Sequence, residues 1–120
     1  MKYSVSIKKN HEFRRLYSKG KSAATPLMVV YCRKTGRGYN RLGITVSTKL
    51  GKAVVRNKLR RRIREIYRLR EDKFRLGLDI VIVARMRCVG ADYREMEQAF
   101  EKACTELDLF KKREEPAAEL

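Results

Sequence analysis

Residues 49–70, KLGKAVVRNKLRRRIREIYRLR, set ten Lys or Arg beside a single acid, Glu65, and repeat their apolar residues at helical spacing. Any fold must satisfy both properties at once. Like charges this dense repel one another, so the cations need solvent or a polyanion, while the apolar positions need a core. With Leu59 at the centre of a helical wheel, Val55, Ile63 and Ile66 fall within about 40° of it at roughly 100° per residue. Asn57, Arg61, Arg64 and Arg68 fall on the far side, with Lys58 and Arg60 on the flanks. The run is expected as one helix, anchored along a narrow stripe and presenting a rigid array of cations and one amide. A merely solvated basic face is the plain alternative, but such faces usually intersperse acids among their cations.

The imbalance extends beyond this run. Residues 1–70 hold 21 basic and 2 acidic side chains, whereas residues 71–120 hold 9 and 12. A half this basic points to nucleic acid or an anionic membrane. The membrane reading finds little support, because no apolar run nears the roughly 20 residues of a span and the apolar stripe is too narrow for a lipid interface. The N-terminus, MKYSVSIKKN, lacks the apolar stretch of a signal peptide, so a cytoplasmic protein is expected. At 120 residues the chain suits one modest core, and residues 1–120 read as a single RNA-binding domain. Its polar tail, from about residue 111, is expected to be disordered.

Residues 10–19 read as a short helix, with Asn10 as its N-cap, Gly20 at its stop, and Phe13, Leu16 and Tyr17 on one face. Ser22–Thr25 and Leu27–Arg33 read as strands interrupted at Pro26, which cannot donate to a ladder. After a loop over 34–40, Leu42–Ser47 alternates apolar with small or polar residues, the pattern of a half-buried strand. Leu78–Ala84, LDIVIVA, is apolar at every position but Asp79, as in strands buried on both faces. Reached through a helix, it is expected to pair in parallel with an earlier strand. Asp92 and Glu95 form a capping-box pair ahead of a last helix striped by Tyr93, Met96, Ala99, Phe100, Ala103, Cys104 and Leu107. The fold class is α+β: about four strands in one sheet with three helices, in the order α-β-β-β-α-β-α.

Nothing in the chain suggests a self-contained catalytic site. Phosphodiester hydrolysis by side chains usually calls for clustered carboxylates or a histidine pair. The basic half has only Glu12 and Glu65, and Glu65 reads better as the orienting partner of a guanidinium than as a base. Cys32, Cys88 and Cys104 are widely spaced without a C-x-x-C pair, and His11 has no companion ligand. Cys32 and Cys104 read as small core residues.

The stretch Arg56-Asn57-Lys58-Leu59-Arg60-Arg61-Arg62-Ile63-Arg64-Glu65 closely resembles the RNR-type motif of the bacterial ribonuclease P protein family. Asn10–Gly20 resembles the family's first helix, with its E-F-x-x-L-Y-x-x-G pattern. Arg41–Ser47 followed by Lys49-Leu50-Gly51 resembles the strand and turn that enter the basic helix, and Asp79–Arg85 resembles the last strand. One departure stands out. The third residue of the RNR triplet is Lys58, which keeps the charge but lacks the planar fork that grips phosphate bidentately.

The resemblance implies the non-catalytic protein subunit of an endoribonuclease that matures tRNA 5′ ends, in which an RNA subunit performs the hydrolysis with Mg²⁺. It implies a left-handed crossover at the basic helix, which the chain alone would not suggest. It carries contact with the RNA subunit to Arg56, Asn57, Lys58, Arg60, Arg61 and Arg64, with Lys49, Lys52 and Arg68 at the margin. It also implies a cleft for the single-stranded 5′ leader of precursor tRNA, matched here by Phe13, Tyr17 and Tyr31, with Arg33 on the face of Tyr31. Aromatic rings suit a leader of variable sequence, since stacking is sequence-tolerant at roughly 1–3 kcal/mol per base. Phe13 fits the core as well as the cleft. The partners implied are the catalytic RNA and precursor tRNA, with no sign of an obligate protein partner. A structural RNA-binding protein of the ribosomal kind is the alternative.

Overall fold

The apolar run at 78–84 organises the molecule. The computed structural model describes residues 4–111, and within them five strands form one sheet: β1 (Ser4–Ser6), β2 (Lys21–Ala24), β3 (Met28–Lys34), β4 (Asn40–Thr45) and β5 (Leu78–Ala84). Three helices complete the α+β domain: α1 (Asn10–Lys19), α2 (Ala53–Arg68) and α3 (Tyr93–Glu106). The strand order is β1-β4-β5-β3-β2, so β5 lies in the middle. It pairs antiparallel with β3 and parallel with β4, with α2 connecting the parallel neighbours.

Strand alternation sorts the side chains between two faces. Leu42, Met28, Val30, Cys32, Leu78, Ile80 and Ile82 join Leu59, Ile63, Ile66 and Tyr67 of α2 and Met96, Phe100 and Cys104 of α3 in the main core. On the other face Val81 packs with Ile7 and Leu16, and Phe13, Tyr31 and Val83 border that smaller cluster. The sheet is thus covered by α2 and α3 on one side and by α1 alone on the other.

Several sequence expectations shift. The basic run is not one helix from 49 to 70: Thr48–Leu50 is a separate 3-10 turn, and α2 starts at Ala53. Gly51 between them adopts φ 141°, a backbone conformation that a side chain resists. Asn10 is the first helical residue of α1 rather than its cap; Lys9 holds the cap position without a side-chain bond. The sheet has a fifth strand, β1, whose three residues are too few to show a period and whose Val5 is exposed. The strands at 22–25, 27–33 and 42–47 begin or end one or two residues from those bounds. Pro26 sits in the β2–β3 turn, as a residue without a ladder donor should. The capping box of Asp92 and Glu95 forms with both bonds, and all three cysteines are buried. The expectation about the tail falls almost wholly outside the described residues.

Candidate nucleic-acid interface

α2 is fixed by four buried side chains, Leu59, Ile63, Ile66 and Tyr67, which recur at three- and four-residue spacing and leave the rest of the helix to its cations. Apart from the half-buried Arg62 and from Arg70, the cations of residues 49–70 fall into two groups. Arg56, Arg60 and Arg68 are held by the protein itself. Arg56 Nε donates to the Gly51 carbonyl (3.1 Å), and Arg60 donates to Asn57 Oδ1 (3.1 Å) and to the Val46 carbonyl (3.4 Å). Arg68 forms a two-pronged pair with Glu65 (2.9 and 2.6 Å), and that guanidinium holds the Glu65 carboxyl below the usual carboxylate range. Glu65 therefore orients an arginine, as its position among arginines suggested.

Lys49, Lys52, Lys58, Arg61 and Arg64 are exposed, and their side chains meet no hydrogen-bond or ion-pair partner among the described residues. Asn57 has its oxygen occupied by Arg60, which leaves the amide N–H groups for a ligand. Arg70, at the end of the basic run, turns away from this array. It pairs with Glu97 (2.8 Å) and Glu101 (2.9 Å) of α3 and so belongs to the packing of α2 on α3.

On the other face of the sheet, α1 is seated by Leu16, its one fully buried residue. Phe13 lies directly over Gly43 of β4: a Cβ at 43 would come within 2.6 Å of the ring. The Phe13 ring thus packs on the sheet and also lines a groove. Tyr17 is 39% exposed, meets Tyr31 edge-on at 4.9 Å between ring centroids, and bonds the Thr45 hydroxyl at 2.9 Å. Phe13, Tyr17, Asn10 and Arg14 of α1, Ile44, Thr45 and Val46, and Arg60 of α2 together line an open groove of about 620 Å³.

The structure brings Phe13 and Tyr17 into one groove with Tyr31 as the support of Tyr17, and it sets Arg33 apart from them. Arg33 lines a second pocket, of about 180 Å³, with His11, Arg15 and Leu16 from the opposite side of α1. Arg60 reaches the groove from the basic helix, a placement that no spacing in the chain could reveal. Arg14 was legible on the α1 wheel beside Phe13 and Tyr17, and it is exposed in the groove wall.

An ion-pair cluster fixes α1 at that far side. Arg41 of β4 donates to both oxygens of the buried Asp79 (2.8 and 2.7 Å) and also pairs with Glu12 of α1. The Arg41 hydrogen bond holds the Glu12 carboxyl below the usual carboxylate range, and the two carboxylates raise the Arg41 pKa. Both acids are thus engaged by one guanidinium. Among the described residues no group of three or more His, Cys, Asp or Glu could hold a metal ion, and no helix is long and apolar enough to cross a membrane.

The family model described as Ribonuclease P matches residues 1–108. The chain belongs to the ribonuclease P protein family. It is 44% identical over 99 residues to the ribonuclease P protein component of Alkaliphilus oremlandii, covering 82% of this chain and 87% of that one. The RNase P protein of Staphylococcus aureus superposes with a TM-score of 0.81 at 36% identity, covering 88% of this chain and 97% of that one. The RNase P protein from Thermotoga maritima gives a TM-score of 0.74 at 34% identity, over 81% and 92% of the two chains. The family match takes in α2, the groove and every strand of the sheet.

Proposed function

We propose that this chain is the protein subunit of ribonuclease P and works by binding two RNAs on two surfaces. The exposed side of α2 docks on the catalytic RNA subunit, and the groove between α1 and β4 holds the single-stranded 5′ leader of precursor tRNA. The observation that carries this reading is the separation of chemistries within a family member. Unpartnered cations stand on a helix anchored through its apolar edge, while the exposed Tyr17 and the half-buried Phe13 line a groove against the opposite face of the sheet.

In the first surface, Lys58, Arg61 and Arg64 engage phosphates or stack on exposed bases, with Lys49 and Lys52 at its margin. Arg56, Arg60 and Arg68 are already oriented, so less freedom is lost when they bind. Asn57 offers its N–H groups to a base edge or ribose. In the second surface Tyr17 and Phe13 stack on leader bases, Tyr31 supports Tyr17, and Arg14 neutralises the backbone, with Arg60 at the seam between the two surfaces. Arg33 lines the pocket on the far side of α1 and takes no part in this groove. The Mg²⁺ that hydrolysis needs is assigned to the RNA subunit, since Glu12 and Asp79 are committed to Arg41.

The test is precursor-tRNA cleavage by a bacterial ribonuclease P RNA, titrated with Mg²⁺ with and without this chain. The chain should shift the requirement to lower Mg²⁺. Binding to that RNA with no shift in the titration would overturn the subunit reading in favour of a structural RNA-binding protein.

A further inference from the structure

The cations that neither surface uses are not scattered. A pocket of about 580 Å³ at the C-terminal end of α1 is lined by Lys19, Lys21, Arg33 and Lys34, and the 180 Å³ pocket beside it shares Arg33 and Lys34 and adds Arg15 and Arg37. The two therefore adjoin at one end of the sheet, where β3 finishes and β2 begins. They lie across α1 from the aromatic groove, whose α1 residues are Asn10, Phe13, Arg14 and Tyr17.

The carboxylates in these pockets are already matched. Glu12 and Asp79 are both taken by Arg41, and Asp108 pairs with Arg75 at 3.2 Å. Arg37 reaches Asp79 only at 3.6 Å and stays 40% exposed. The side chains of Arg15, Lys19, Lys21, Arg33 and Lys34 have no hydrogen-bond or ion-pair partner among the described residues. Five unmatched cations held side by side repel one another, and that repulsion is relieved by a run of phosphates.

We propose that the belt of Arg15, Lys19, Lys21, Arg33, Lys34 and Arg37 is a third RNA contact, which grips the sugar–phosphate backbone of a helical segment of the RNA subunit. Neither pocket is lined by Phe, Tyr or Trp, and His11 is the one ring in the lining of either, so the belt offers little on which unpaired bases would stack compared with the groove. Its chemistry is that of a backbone contact. Paired RNA, with its bases stacked inside and its phosphates outside, is the form such a surface fits. The groove assigned to the precursor's leader lies on the other side of α1, which leaves the RNA subunit as the partner here. This inference rests on the subunit reading above.

The experiment measures the affinity of the full chain for a ribonuclease P RNA subunit across a range of salt, with three double variants that each remove two charges. They are Arg15→Ala with Lys34→Ala in the belt, Arg61→Ala with Arg64→Ala on α2, and Arg94→Ala with Lys102→Ala on the exposed side of α3. The belt variant should bind about tenfold more weakly at low salt and flatten the log–log salt slope by about 2, as two lost phosphate contacts require. The α3 variant should stay within about twofold, since charge without contact contributes little beyond a screening length. Equal behaviour of the belt and α3 variants overturns the belt. So does a belt variant that keeps its affinity for the RNA subunit but weakens the holoenzyme for mature and precursor tRNA alike, since the belt would then serve the tRNA. If the α2 variant also binds normally, the subunit reading itself falls, and the belt with it.

Discussion

α1 and α2 lie on opposite faces of the same sheet, and different chemistry anchors each of them. α2 buries four apolar or aromatic side chains and offers cations. α1 buries only Leu16, is clamped by Glu12 to Arg41 and by Tyr17 to Thr45, and offers rings. The difference follows from what each surface has to leave uncovered. A helix that uses its apolar stripe for the core has only charge left for a partner, and charge suits a phosphate backbone. On the proposed reading, a helix whose rings are to meet bases can give only part of them to packing, so an ion pair, one leucine and the Tyr17 hydroxyl share the anchoring with the inner side of Phe13. The same reasoning explains why the buried carboxylate Asp79 sits beneath α1 and not beneath α2.

The sharpest break in this comparison comes from removing that carboxylate. Asp79→Ala leaves Arg41, whose side chain is only 15% exposed, paired with Glu12 alone. The expected cost is about 3 kcal/mol in a urea unfolding experiment, because a buried guanidinium loses its two-pronged partner. Native-state hydrogen exchange should show where it falls: α1 amides lose protection first, ahead of those in α2. Ile63→Ala, of similar overall cost at roughly 2–5 kcal/mol, should spare that order and loosen α2 against the main core. If both variants released the two helices together, the claim that they are anchored independently would be wrong.

Next in size is the pair of functional losses. Arg61→Ala with Arg64→Ala should weaken binding to the RNA subunit and flatten its salt dependence by about 2, while leaving the preference for leader-bearing precursor over mature tRNA intact. Tyr17→Ala should do the reverse. It should cost about 1–3 kcal/mol of that preference, measured as the ratio of the two tRNA affinities of the holoenzyme. Matching effects from the two variants would show one continuous surface instead of two.

Much of this was legible in the chain, for reasons particular residues make plain. The 3.6-residue recurrence of Leu59, Ile63 and Ile66 survived translation into structure because four anchors on one stripe leave a helix no other way to pack. The run from Leu78 to Ala84 carried the signature of a strand buried on both faces, and Asp92 with Glu95 marked the start of α3. What escaped notice depends on contacts between distant residues. β1 is recognisable only through its parallel pairing with Asn40–Leu42, and the arrival of Arg60 in the groove depends on how α2 crosses β4. The separation of Arg33 from Tyr31, two residues away on the same strand face, arises because α1 lies across the sheet between the two sites. Alternation alone treats the residues as neighbours.

A smaller perturbation probes the groove without touching a ring. A methyl group at position 43 would come within 2.6 Å of Phe13 Cε1 and 2.7 Å of Cζ. The ring edge can tilt away, so Gly43→Ala should destabilise the fold by only about 1 kcal/mol, as modest overpacking does. Because the ring tilts into the groove wall, the precursor-to-mature preference should drop severalfold while affinity for the RNA subunit is unchanged. An unchanged preference would place Phe13 in the core alone and leave Tyr17 to bear the stacking.

The weakest expected effect is also the most specific to the clamp on α1. The Glu12 carboxyl is held below its ordinary value of 4.5, chiefly by its hydrogen bond with Arg41. A carboxyl more acidic in the folded than in the unfolded chain stabilises folding at pH above the unfolded value, and that contribution is lost as pH falls through the folded one. Glu12→Gln should therefore be less stable than the parent chain by about 1 kcal/mol at pH 7, a modest figure for a partly exposed pair. The gap should begin to close below about pH 4.5 and vanish at lower pH, where Glu12 is protonated in both states. Asp79 and Arg41 are common to both chains, so the difference between their urea midpoints isolates Glu12. A gap that stayed constant from pH 7 to pH 3 would mean that the Glu12 charge does not hold α1 to the sheet. The helix would then rest on Leu16 and Tyr17 alone, and the contrast with α2 would reduce to the number of anchors instead of their chemistry.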